Sequence, residues 1–349
     1  MLLFRVFSIP VRFFIALLIY FSWGPLAGGV VTAPVPEFSS PALIPYPSKV
    51  VRGAGEAGFR SVHVKVGPDV PGRDDLMREI KDIFRTSGIQ GSLNSGGAAE
   101  GAMTWELFPD ARMKGEGYDL SVGLGKATVR AGSFGGFFNA LQTLRQLVFN
   151  REGEFAMPVV RISDKPAFVL RGIMLDVGRY YMSPALIKEV MRRLSRYKIN
   201  TLHLHLTDDP AWRLEVKKYP ALTDGAFHWK SRLPGRFYTQ AQLKDLTDYC
   251  ARLNIQVIPE IDMPGHSQPF ARAMKTGMQT EKGVSILKDV VDEAVSLFPG
   301  RFFHMGSDEA HIFMKDFIPR MAEHIRGKGK EVVCLLYTSP SPRDMRRSR

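Results

Sequence analysis

The sequence predicts an α/β protein in which a small N-terminal α+β domain precedes a (β/α)8 TIM-type barrel, with about the first half of the barrel present. Three observations carry this. Strand-like and helix-like segments alternate after Pro166 at lengths suited to right-handed βα units. Each of four successive strand candidates ends in carboxylates: Asp176, then Asp208 and Asp209, then Glu260 and Asp262, then Asp308 and Glu309. In a barrel of this type the C-terminal strand ends converge on one mouth, where catalytic groups collect. Finally, the stretch from Pro166 to Arg349 falls short of the roughly 200 to 250 residues a full barrel takes.

Taken from the start, Arg5 and Arg12 precede the apolar run Phe13–Trp23, followed by Gly, Pro and Ala. That is the pattern of a secretory signal peptide within residues 1–30, or of a short anchor, and it implies an exported chain. Residues 31–48 are rich in Pro and Ser and read as an irregular lead-in. The small domain is expected over 42–162. Alternation predicts strands at Ser61–Val66, Tyr118–Gly123 and Thr128–Gly132. Phe137, Leu141, Leu144 and Val148 recur at helical spacing and predict an amphipathic helix over 136–149. The glycines of 91–101 neither follow a strand nor open a helix as a phosphate loop does, so the segment reads as a mobile loop.

The partial barrel is expected over 166–333. Phe168–Val177 reads as its first strand. Ser183 and Pro184 form an N-cap and first-turn pair for the next helix. Thr201–Leu206 is the second strand. Thr239 and Gln242 make a capping box before a helix that turns Leu243, Leu246, Cys250 and Leu253 inward. The third strand starts at Ile255. Leu287, Val291, Ala294 and Leu297 mark the helix before the strand that ends at Asp308, and a fifth strand begins at Glu331.

Composition excludes several classes. The formal charge of +12 falls partly on Arg5, Arg12 and the arginines after Cys334, and no basic helix or aromatic RNA motif accompanies it, which argues against nucleic acid as a partner. With only two cysteines, Cys250 and Cys334, neither a disulfide framework nor a cysteine-ligated metal is expected. His203 and His205 point to one face of a strand and are the rival signal, since H-x-H pairs hold metal in amidohydrolase-like barrels. Such barrels need further ligands from later strands, and no histidine follows His324. No metal and no cofactor are expected.

The motifs PAFVLRGIMLDVGRYY (166–181), KINTLHLHLTDDPAWRLEVKKYPALT (198–223), VIPEIDMPGHSQP (257–269) and FHMGSDEA (303–310) resemble glycoside hydrolase family 20, the β-N-acetylhexosaminidases. IPYPSKV (44–50) and GFFNALQTLRQLV (136–148) resemble its small N-terminal domain. The resemblance implies removal of terminal β-linked N-acetylhexosamine from an oligosaccharide or glycoconjugate, with the substrate's own acetamido group as nucleophile. It implies that Asp308 orients that amide and that Glu309 is the general acid and then base, its pKa raised by its neighbour's charge and by partial burial. It assigns Arg171 to the sugar hydroxyls, with an ion pair to Asp176 or Asp208 as the alternative. Asp208, Asp262 and His266 receive a supporting role near the acid, the alternative for the last two being a capped turn. Trp212 either closes the pocket rim or anchors its loop, whose shape is open because Pro210 and Ala211 depart from the family's usual residues.

After Val333 the residues 334–349 form a Ser/Pro/Arg segment without barrel periodicity. The expectation is a truncated or chimeric frame rather than a short natural variant with a basic tail. Two function classes follow: an exported glycosidase, in the periplasm, at the cell surface, secreted or lysosomal, and a non-catalytic fragment or sugar-binding module.

Overall fold

Period-two alternation in Ser61–Val66 buries Val62, Val64 and Val66 on one face of a strand, and the same logic shapes the sheet around it. The computed structural model describes residues 42–94, 97–151 and 153–335; the expected signal segment and most of the basic tail lie outside them. The small domain is a mixed sheet in the order Lys49–Phe59, Glu154–Asp164, Tyr118–Gly123, Lys126–Ala131, Ala102–Pro109, Ser61–Val66 and Gln90–Leu93. Helices Arg73–Ser87 and Phe134–Leu147 pack beside each other and against the sheet. The second is capped by the Ser133 side chain, which accepts from Gly136 N at 3.1 Å. Gly91 is part of the strand Gln90–Leu93, so the glycine-rich stretch begins inside a strand and not in a loop.

Five short strands follow in a parallel sheet, ordered Glu331–Val333, Phe302–His304, Gln256–Glu260, Thr201–His205 and Gly172–Asp176. Each sequential strand is added beside the last, as in the wall of a barrel. The first is shorter than its apolar run suggests. Phe168 and Val169 are exposed, and only from Gly172 does the backbone pair with Thr201.

The intervening helices start where expected. Ser183 accepts from Leu186 N, and Thr239 and Gln242 form both bonds of the capping box. Leu243, Leu246 and Cys250 are buried on helix Gln240–Ala251, and Leu287, Val291, Ala294 and Leu297 on helix Glu281–Leu297. With the strands buried on their helix-covered side, the opposite side and the C-terminal tips are left to build a site.

Candidate active site

Strand Phe302–His304 ends in a turn that only particular residues can make. Gly306 has φ 63°, and a Cβ there would lie 2.0 Å from Asp262 Oδ1. Ser307 continues in the left-handed region at φ 77°, held by its N–H to Asp262 Oδ1 at 3.1 Å and its hydroxyl to Met263 O at 2.7 Å. Glu309, at φ 49°, repeats the conformation. Non-glycine residues in this region cost of order 1 to 3 kcal/mol each and cluster at functional sites. The turn presents Asp308 and Glu309 to a cavity of about 570 Å³ inside the sheet.

That cavity also takes Arg179, Asp262, His266 and His203 from the three preceding strands and their loops. His266 Nε2 is 3.5 Å from Glu309 Oε2, and its Nδ1 is 3.6 Å from Asp208 Oδ1 and 3.9 Å from Asp209. Asp208 is buried. Burial alone would raise its pKa, but the His205 hydrogen bond and the charges of His266 and Arg179 hold it below the usual carboxylate range. Asp262 goes the other way: burial and the Glu260 charge raise it to about 6 against the Ser307 N–H bond. Five of the six expected site residues, Asp208, Asp262, His266, Asp308 and Glu309, are therefore brought together. Glu309 is more open than expected, with 77 % of its side chain exposed.

Arg171 is not brought there. It precedes its strand instead of following it, and its guanidinium is consumed at the opposite end of the sheet by Glu116 and by the carbonyls of Lys198, Phe168 and Val169. The expected alternative pairing with Asp176 or Asp208 belongs to Arg179, which reaches them at 2.7 and 2.8 Å. Arg179 lies three residues past Asp176, at the mouth, and the strand-end rule applied to cations would have selected it.

Beneath the carboxylates lies a buried charged layer. Glu260 accepts from His205 Nδ1 at 2.6 Å and faces His304 Nδ1 at 2.8 Å; His203 Nε2 comes within 2.7 Å, but off the line of a hydrogen bond. His205 Nε2 meets Asp208 Oδ2 at 3.0 Å. Burial disfavours the imidazolium, yet bonds to two carboxylates win and carry His205 up to about 10. Glu260 is lowered, its histidine bonds outweighing burial. His203, Glu260 and His304 offer ligand atoms within 4.8 Å of one another, the donor set a cation would use.

Two further side chains fix the mouth. Trp212 is buried, donates Nε1 to Leu214 O at 2.9 Å and packs on Phe270, so it anchors its loop and does not line the rim. Arg213 is fully buried, and its five N–H groups meet the carbonyls of Val177, Gly178, Arg232, Leu233 and Arg236. It thereby ties the loop after the first strand to the loop after the second.

Known proteins match this arrangement. Residues 168–283 fit the family profile described as glycosyl hydrolase family 20, catalytic domain, and residues 40–165 the profile of domain 2 of that family. A beta-hexosaminidase of Porphyromonas gingivalis is 37% identical over 231 residues, covering 56% of this chain and 29% of that protein. A beta-N-acetylhexosaminidase of Cellulomonas fimi is 31% identical over 273 residues, covering 70% and 55%. The chain thus spans about a third to a half of the length of the curated relatives it matches. Among solved structures, Streptomyces plicatus N-acetyl-beta-hexosaminidase in complex with Thio-NAglucal superposes with a TM-score of 0.75 at 29% identity, covering 84% of this chain and 65% of that one. The beta-N-acetylhexosaminidase of Bacteroides fragilis gives 0.71 at 27%, covering 85% and 67%.

Proposed function

Starting from the fact that this chain belongs to glycosyl hydrolase family 20, we propose that it is an exported glycoside hydrolase that removes terminal, non-reducing, β-linked N-acetylhexosamine by substrate-assisted, retaining catalysis. The observation that carries the reading is the pair Asp308 and Glu309 on one turn, facing the cavity into which His266 and Arg179 also project. Export is supported by the apolar run Phe13–Trp23 behind two arginines.

In the first step the acetamido carbonyl oxygen attacks the anomeric carbon while the bond to the leaving oxygen breaks and Glu309 gives that oxygen its proton. An internal nucleophile held against the reacting carbon has a high effective molarity, so the protein need only orient it. Asp308 accepts the amide N–H and balances the positive charge of the oxazolinium ring. In the second step Glu309, now a carboxylate, takes a proton from water, whose oxygen attacks the same carbon and restores the acetamide. Two displacements retain the configuration. Arg179 keeps N–H groups free of Asp176 and Asp208 and, at the mouth, takes the hydroxyl-binding task first assigned to Arg171.

One observation favours a second reading, a sugar-binding module without turnover: the cavity is bordered by the two outer strands of a five-stranded sheet, Gly172–Asp176 and Glu331–Val333. Assay of the chain, residues 31–349, with a chromogenic β-N-acetylglucosaminide separates the two. Turnover reduced at least about a hundredfold by Glu309→Gln supports the hydrolase. Sugar binding without turnover supports the module.

A further inference from the structure

At the end of the sheet opposite the mouth, a single carboxylate collects donors from the start of three successive strands. Glu116 sits in the turn before strand Tyr118–Gly123 of the small domain. Its Oε1 accepts from Asn254 Nδ2 at 2.8 Å and Asn200 Nδ2 at 3.2 Å, and its Oε2 from Arg171 Nη2 and, at 3.4 Å, Asn139 Nδ2. An ionised carboxylate offers about four acceptor sites, and here all are used. Arg171 immediately precedes Gly172–Asp176, Asn200 immediately precedes Thr201–His205, and Asn254 stands two residues before Gln256–Glu260.

The same surface repeats the charge pattern. Glu79 and Asp82 of the small domain meet Arg192, with Glu79 at 2.6 Å, and Asp164 meets Lys198 at 3.0 Å. Carboxylates thus come from the small domain and Arg171, Arg192, Lys198, Asn200 and Asn254 from the barrel side, with Asn139 and Arg145 of the small domain added to the same groups. The backbone is fitted to this contact as well: a Cβ on Gly135 would lie 2.9 Å from both Glu116 Cγ and Asn254 Oδ1.

We infer that the small domain is the base plate of the barrel's first three strands, with Glu116 as the positioning residue that sets their relative height and so the arrangement of the groups at the mouth. The strands have five residues each, so a shift at the base reaches the tip with little room to be absorbed. Interiors packed at crystal density transmit such displacements. Asp176 with Arg179, His205 with Asp208, and Glu260 with Asp262 are the groups that would lose register.

Amide hydrogen exchange on the full chain tests this without any substrate, so its outcome is independent of the hydrolase reading. Glu116→Gln preserves shape but turns an NH2 towards donors. It is expected to speed exchange about tenfold in 172–180, 201–208 and 256–266 while leaving 118–131 unchanged, and Glu116→Asp is expected to restore part of the protection. A control, Val64→Ala, lowers stability from within the small-domain core. If Glu116→Gln leaves the three strands as protected as in the unaltered chain, or loosens them no more than Val64→Ala does, the inference is overturned. Should Glu116→Gln fail to fold, Gly135→Ala, which places one methyl between Glu116 and Asn254, is read by the same criterion.

Discussion

His266 Nε2 stands 3.5 Å from the Glu309 carboxylate. The ring therefore touches the proposed acid on one side, while its other nitrogen faces Asp208 at 3.6 Å. A carboxylate behind an imidazole holds the ring in one orientation against the acid. His266→Ala is expected to lower kcat by about ten- to a hundredfold with little change in KM. An unchanged kcat with a lower melting temperature would reduce His266 to a packing role.

The two arginines eight residues apart make opposite predictions. Arg179→Ala removes a donor from the cavity and should weaken binding of N-acetylglucosamine, measured by calorimetry, with a modest change in melting temperature. Arg171→Ala leaves Glu116 without its cation and should lower the melting temperature, with a smaller loss of affinity per folded molecule than Arg179→Ala. The reverse pattern would return Arg171 to the sugar.

Asp262 gives a pH signature. Its folded pKa of about 6 lies above the unfolded value near 3.9, so between these the native state holds the proton more tightly. Stability from this group is full below the unfolded value and is lost as pH rises through about 6. Denaturant titrations at pH 4, 5, 6 and 7 should show Asp262→Asn with a shallower decline than the parent across that window. The flanking Glu260, His205 and Arg179 titrate outside it and are common to both proteins. Equal slopes would mean that Asp262 is not held protonated.

Gly306→Ala should cost at least about 2 kcal/mol, combining the left-handed backbone with a methyl against the Asp262 carboxylate. Chemical denaturation measures it directly. A loss below about 0.5 kcal/mol would show that the turn relaxes freely.

Much of this was legible in the residues because it depends on local order. Strand-end acids sit where a parallel sheet must deliver them, and the Ser183 and Thr239 caps are written in three or four residues. The family motifs added roles for Asp308 and Glu309. What was not legible depends on which end of an element a residue occupies and on partners far along the chain. Arg171 and Arg179 flank the same five-residue strand, and only the register of that strand against Thr201–His205 tells base from mouth. Glu116 gave no signal, because its donors are up to 138 residues distant. The open position of Glu309 was likewise hidden, since exposure belongs to the surroundings of a turn and not to its sequence.

Arg213 carries one more consequence. Its guanidinium spends every N–H on the backbone of two loops, so it reads their path and none of their side chains. Residues 177–178 and 232–236 are thus coupled in position: a change of length in one requires a matching change in the other. The two loops form a single mechanical unit at the rim, so an insertion in one alone should displace both.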